Sequence, residues 1–313
     1  MPETLVINGE SIAYGEQVLT KLVVSKLPSG TAIEIPVYVF RSVYDGPVVL
    51  LMAGMHGDEV NGTEIIRRML TKKMLNPLKG TIIAVPILNV YGFLHFSREM
   101  PDGKDVNRSF PGNRNGSLAS RVAHSFMTEI MPYVDYGIDF HTGGASRANY
   151  PQIRCVLNDY RNEELARAFS APFTLDASYR QGSLRKEAGK NSKSILVYET
   201  GESLRFDEEG ITLGIEGCCR LLHHLGMRKD CIPAPKETIV CMKGTWVRAK
   251  NAGLWRNFVQ LGSYVTKGQN MGSITDPYGK MEVRLNASAS GYVLGLNNMP
   301  VVNQGDALLH IAF

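Results

Sequence analysis

What most constrains this chain is a set of short apolar runs, each stopping at a polar or glycine-rich corner, with helix-like stretches between them. The runs are Pro47–Met55, Thr81–Leu88, Val134–Phe140 and Ser194–Tyr198. They are bounded by Gly, Pro or Asn and too short for buried helices, as strands covered on both faces should be. Asp58–Leu75, Leu118–Met131, Glu163–Ser170 and Asp207–Leu225 read as the helices that separate them. The last opens on an Asp and two Glu and stops before Gly226, which suits the helix dipole and a C-terminal glycine stop. Strands alternating with helices predict a three-layer α/β sandwich.

The pattern changes near residue 230. Ile232–Lys236 (Ile-Pro-Ala-Pro-Lys) reads as a linker. Beyond it come Gly244–Ala249, Gly253–Val259, Met281–Leu285, Gly291–Leu296 and Ala307–Ala312, closely spaced and without a helical period. That is the signature of a small all-β module. The expected division is therefore an α/β unit over residues 1–235 and a β-rich unit over 236–313.

Composition narrows the function. With 44% hydrophobic and 20% charged residues over 313 positions, the chain can bury a large core and is not disordered. The net charge of +4 lies wholly in residues 239–313, which hold seven Lys/Arg and three Asp/Glu. No dense basic run with interleaved aromatics occurs, so no nucleic acid partner is expected. No apolar run reaches the roughly 18–20 residues of a membrane helix, and Met1-Pro2-Glu3-Thr4 lacks the pattern of a secretory signal. The five cysteines (155, 218, 219, 231, 241) are odd in number and show no C-x-x-C spacing. Reduced thiols in a cytoplasmic protein are the expectation.

The sharpest segment is Ala53-Gly-Met-His-Gly-Asp-Glu-Val-Asn-Gly62, where an apolar strand turns through a glycine-rich corner into a helix. His56 is placed at the strand's carboxyl end and Glu59 in the first helical turn. In open α/β sheets that end is where ligands bind. The plainer alternative is a polar turn that caps the helix. Against it stands a second corner of the same kind, where Val134–Phe140 runs into His141-Thr-Gly-Gly144. Two His and one Glu make a catalytic zinc set with a coordination position left for water.

Arg98–Gly112 is too rich in Pro, Gly and charge for a core element and reads as a long loop carrying Arg98 and the pair Asn107-Arg108. Guanidinium groups bind carboxylates in bidentate fashion and stabilise charge developing on oxygen. The alternative is a solvated surface loop. Glu199 ends the last apolar run, where a carboxylate is costly unless paired or functional. Glu202, three residues on, is the competing acid and reads as a loop or cap residue.

In this order, H-G-D-E, D-V-N-R-S-F-P-G, D-F-H-T-G and Y-E-T-G-E resemble the succinylglutamate desuccinylase/aspartoacylase family, a branch of the zinc carboxypeptidase superfamily. The resemblance covers about residues 45–225. It implies a mixed central sheet and one zinc ion held by His56, Glu59 and His141. Glu199 is then the general base, Asn107 and Arg108 hold the substrate's carboxylate, and Arg98 polarises the scissile carbonyl across a Pro-Asp-Gly insertion. Arg185 matches a substrate-contacting arginine. The implied activity is hydrolysis of the amide of a small N-acyl amino acid or related compound. The competing readings are a metallocarboxypeptidase acting on peptides and a zinc-less binding protein of the same fold. Whether the chain forms a homo-oligomer stays open.

The other histidines read as packing or surface residues: His124 inside a helix, His223 and His224 near a helix end, and His310 in the last strand. His95 is near enough to Arg98 to line a pocket. Cys218 and Cys219 read as buried small apolar groups. The C-terminal module resembles the hammerhead fold of lipoyl and biotinyl carriers. Its Val283–Gly291 segment lacks the modified lysine, so a structural or gating role is expected.

Overall fold

The computed structural model describes residues 4–26 and 29–313; the reading of Met1 to Glu3 as the start of no signal lies outside them. Strands β1 (Leu5–Ile7) and β2 (Glu10–Ile12) form a small antiparallel pair, and β3 (Gln17–Lys26) and β4 (Ala32–Arg41) a long antiparallel hairpin. The chain continues through β5 (Val48–Met52), α1 (Asn61–Thr71), β6 (Thr81–Val85), α2 (Val90–His95), α3 (Leu118–Glu129) and β7 (Tyr136–Gly143). Next come β8 (Arg147–Cys155), α4 (Tyr160–Phe169), β9 (Phe173–Asp176), α5 (Leu184–Lys190), β10 (Ser194–Glu202) and α6 (Glu208–His224).

Strands β10, β7, β5 and β6 lie side by side and parallel, flanked by antiparallel β8 on one side and β4 on the other. The sheet is therefore mixed, as the resemblance implies. Alternation along β5 makes the layers. Val48, Leu50 and Met52 pack with Val122 and Phe126 of α3 and Leu184 of α5. Val49 and Leu51 pack with Ile65 and Met69 of α1, Phe169 of α4 and Leu221 of α6. Both faces are covered, which explains the continuous apolar runs. Truncating Leu51, fully buried between strand and helix, would cost about 2–5 kcal/mol.

Beyond residue 230 the Ile232–Lys236 stretch is irregular. The β-rich part runs through β11 (Ile239–Cys241), β12 (Gly244–Arg248), β13 (Gly253–Asn257), β14 (Tyr264–Val265) and β15 (Asn270–Thr275). It ends with β16 (Glu282–Asn286), β17 (Gly291–Asn297), β18 (Val301–Val302) and β19 (Ala307–Ala312). Strands β16, β15, β13 and β18 make a separate four-stranded sheet, whose Trp255, Met271 and Ile274 share a core with Leu308 of β19. Strands β12, β19 and β17 instead continue the central sheet, because β17 pairs with β8.

Three local expectations change. Helix α1 begins at Asn61, so Glu59 lies in the turn before it rather than in its first turn. Strand β7 extends to Gly143, which puts His141 within the strand. Strand β10 extends to Glu202, so that residue too is on a strand. Strand β8 was not foreseen, because Asn149, Gln152 and Pro151 interrupt any apolar run. Pro151, which cannot donate to a ladder, is tolerated because the pairing of β8 with β10 shifts register between Glu199 and Gly201.

Candidate metal centre and active site

The corner after β5 is fixed by a close backbone approach. A Cβ on Gly57 would lie 1.8 Å from the carbonyl carbon of Gly92, so only glycine fits. The Gly57 N–H donates to the carbonyl of Ser97 at 2.9 Å, which ties this corner to the segment bearing Arg98. His56 and Glu59 are thereby held at the carboxyl end of β5, beside the neighbouring strand β7.

Glu59 stands between the two histidines. Its Oε1 is 2.8 Å from His56 Nδ1 and its Oε2 is 2.8 Å from His141 Nδ1. All three are buried, and their ligand atoms lie within 4.8 Å of one another. The far ring nitrogens are also engaged: His56 Nε2 lies 3.2 Å from Asp105 Oδ1, and His141 Nε2 2.9 Å from Asp139 Oδ2. An outer carboxylate on each histidine fixes ring orientation and tautomer, as metal-ligating imidazoles require.

The electrostatics suit a cation. Burial alone would lower both histidines, but Glu59 and Asp105 hold His56 above its ordinary value, and Asp139 and Glu59 hold His141 well above it. Burial opposes ionisation of Glu59, yet the two imidazoles facing its oxygens hold it below the ordinary carboxylate range. Two imidazole nitrogens and a carboxylate converging in a buried space fit a divalent ion with nitrogen and oxygen preference. His56, Glu59 and His141 could therefore hold a metal.

The cluster forms part of the wall of a cavity of about 850 Å³ that also touches Arg98, Asn107, Arg108, Arg185 and Glu199. Every candidate site residue from the sequence is thus brought to one cavity. Arg98 reaches back across the cluster, with Nη1 3.3 Å from Glu59 Oε1 and Nη2 2.9 Å from Asp105 Oδ2. Asn107 Oδ1 accepts from the Leu184 N–H at 3.1 Å, which leaves its amide N–H groups to donate. Burial lowers the Arg108 guanidinium; Asp105 opposes this, and the nearby cations Arg180 and Arg98 add to it. A carboxylate there would relieve that crowding. Arg185 donates to the carbonyls of Arg154, Ala177 and Ser178 and has burial as the main cause of its lowered value.

Glu199 faces His141 across the parallel pairing of β10 with β7, so the two side chains share one face of the sheet. Glu202 turns elsewhere: its Oε2 accepts from Asn298 Nδ2 at 2.8 Å. His95 ends helix α2, and His124 lies within α3. His223 and His224 bond to the Arg228 carbonyl and Glu164, and His310 stacks on Trp246.

Sequence reasoning missed Asp139 and Asp105. Asp139 had a signal: it stands two before His141, on the same face of a strand. Asp105 organises its loop by accepting from the Asn107 N–H at 2.7 Å as well as meeting His56 and Arg98. Two of these contacts are local, but the one to His56 spans 49 residues and leaves no local pattern. Also missed were Arg147, Asn149, Arg154 and Arg180 on the wall, and Trp246, Arg248 and Asp306 from the β domain.

A mixed-sheet α/β sandwich with a buried His-Glu-His cluster at its strand ends and a β domain on the rim defines a class of protein. The model of the succinylglutamate desuccinylase/aspartoacylase catalytic domain matches residues 45–225, and the chain belongs to that family. It is 29% identical over 299 residues to the N-alpha-acetyl-L-2,4-diaminobutyric acid deacetylase of Halomonas elongata, covering 90% of this chain and 86% of that protein. Its fold matches the crystal structure of a succinylglutamate desuccinylase/aspartoacylase from Rhodobacter sphaeroides at a TM-score of 0.85 and 26% identity, covering 95% of each chain. The ectoine utilization protein EutE of Ruegeria pomeroyi, in a product-bound structure, shares the fold at a TM-score of 0.85 and 23% identity, over 95% of this chain and 94% of that one.

Proposed function

We propose that this chain is a zinc-dependent deacylase that hydrolyses the amide of a small N-acyl amino acid. The observation that carries the reading is the buried His56–Glu59–His141 cluster opening on a cavity that also presents Glu199, Arg98 and Arg108. Family membership and the deacetylase from Halomonas elongata support the reaction class. The cavity volume lies within the roughly 300–1,000 Å³ of small-molecule sites.

His56, Glu59 and His141 would hold one zinc ion. Zinc supplies Lewis acidity and a water made acidic enough to ionise near neutral pH. Glu199 takes a proton from the attacking water and returns it to the leaving amine, a role worth about 10²–10⁴-fold. Arg98, fixed by Glu59 and Asp105, stabilises negative charge on the former carbonyl oxygen. Arg108 and the amide of Asn107 hold the substrate's carboxylate, and Arg185 adds a cation to the same wall. Residues 1–235 carry this chemistry, and 236–313 close the cavity with Trp246 and Arg248.

The test is zinc content and turnover on purified protein, using N-acetyl, N-succinyl and N-aspartyl amino acids. Stoichiometric zinc with release of free amine from one of these is expected. In the same assay Arg108→Ala should mainly raise KM and Arg98→Ala mainly lower kcat, since only Arg98 meets charge formed in the transition state. Protein without bound metal or deacylation, after supply of zinc, would refute the reading. Cleavage confined to peptide C-termini would point to a carboxypeptidase.

A further inference from the structure

We propose that Asn149 is a positioning residue for Glu199 and that the C-terminal β domain holds Asn149 in place. The proposal rests on the reading of Glu199 as the general base.

The backbone of β10 fixes where Glu199 begins, but three side-chain torsions separate its Cα from its oxygens. The partners of the carboxylate decide where those oxygens stand. Two are present. Arg154 Nη1 lies 3.3 Å from Oε1, a long contact, and Asn149 Nδ2 donates to Oε2 at 2.7 Å. The amide is the closer and more directional anchor. It occupies Oε2, while Oε1, which has only the long Arg154 contact, is the oxygen to accept the water's proton. Being neutral, it fixes the carboxylate without pairing its charge.

Asn149 is itself held from the other side. In β8 it stands opposite Gly201 of β10 and opposite Gly295 of β17. Gly295 faces His310 of β19, which faces Trp246 of β12. One row thus crosses the sheet from the β domain to the strand of the base. Gly295 is its gap. A Cβ there would come within 3.2 Å of Asn149 Oδ1, 3.3 Å of Trp246 Cη2 and 3.1 Å of His310 Cβ. The missing side chain lets the edge of the indole and the amide of Asn149 share the space over the strand. Asn149 is 7% exposed. The β domain therefore packs the amide that aims the base, besides narrowing the entrance.

The experiment is a double-mutant cycle of Asn149→Ala with Glu199→Gln on the zinc-loaded full chain, reading kcat, KM, zinc content and melting temperature. A catalytic group misplaced by about 1 Å costs on the order of 10²-fold. Asn149→Ala should lower kcat by about 10–100-fold and leave KM, zinc and melting temperature near those of the parent. Placed on Glu199→Gln, it should cause no further loss, since it acts through that residue. Asn149→Leu keeps much of the shape, removes the donor and guards against a folding failure of the alanine variant; it too should lose kcat at unchanged KM. Gly295→Ala, which touches no substrate, should reproduce the kcat loss in milder form. Unchanged kcat in both Asn149 variants, or a loss that multiplies with that of Glu199→Gln, would overturn the positioning role. If Glu199→Gln itself turned over normally, the assignment of the base would fall, whatever Asn149 did.

Discussion

His56 and His141 near the strand ends of the α/β region, and His310 in the β domain, are all buried, yet burial leaves them in opposite states. At the first two, burial is outweighed by Glu59, Asp105 and Asp139, and both imidazoles are raised. His310 lies in the last strand against Trp246, with rings stacked at 4.8 Å, and its buried Nδ1 has no hydrogen-bond partner among the described residues. Burial pushes it down to about 3, and Arg154 adds to the fall. The difference lies in the carboxylates around the ring. A buried imidazole ringed by carboxylates is built to host a proton or a metal, whereas one packed on an indole stays neutral. Stability follows the same division. The cluster histidines stabilise the metal-free fold most below their ordinary 6.5 and lose that contribution as pH rises through their raised values.

The largest effect expected is at the cluster. His56→Ala or His141→Ala removes one of the three proposed zinc ligands and should abolish both stoichiometric zinc and turnover. His310→Phe should keep both. Zinc content by elemental analysis beside initial rates checks this. A His141→Ala protein with full zinc and full activity would erase the distinction between the two kinds of buried histidine.

A smaller effect should follow from the carboxylate behind the ligand. Asp139→Ala leaves His141 in place but frees its Nε2, so zinc affinity should fall about 10–100-fold. Competition with a chelator of known affinity measures it. Unchanged affinity would mean that Asp139 serves folding alone.

How far the sequence reached depended on how local each feature is. His56, Glu59, His141 and Glu199 were legible because each sits at or near the end of an apolar run, and such runs betray buried parallel strands. The layers were legible for the same reason. The arrangement of Arg98, Asn107 and Arg108 was not, because it depends on Asp105 reaching His56 from another segment. Strand β8 stayed hidden behind Asn149, Pro151 and Gln152, polar or ring-bearing residues whose places are justified only by their neighbours. Gln152, fully buried, donates to the carbonyl of Leu294 across the junction with the β domain. The joining of that domain to the central sheet through β17 depends on long-range pairing and leaves no periodic trace. Trp246 at the cavity wall follows from it.

The smallest effect concerns acid stability and belongs to His310 alone. Its folded value is about 3 against an ordinary 6.5, so the unfolded chain binds its proton first as pH falls. Stability therefore rises with pH across that interval and declines on acidification below 6.5. At pH 5.5, about one unit below the unfolded value, the loss is on the order of 1 kcal/mol. Phenylalanine fills a similar planar volume beside Trp246 and cannot take up a proton, so His310→Phe should lack this term. Urea unfolding of both proteins at pH 7.5 and pH 5.5, under identical metal conditions, isolates it, because every other titrating group is common to the pair. The stability difference should move by roughly 1 kcal/mol in favour of the variant at the lower pH. A difference that stayed constant would mean that His310 takes up its proton in the folded protein as readily as in the unfolded chain, and the contrast with the strand-end histidines would then lose its electrostatic basis.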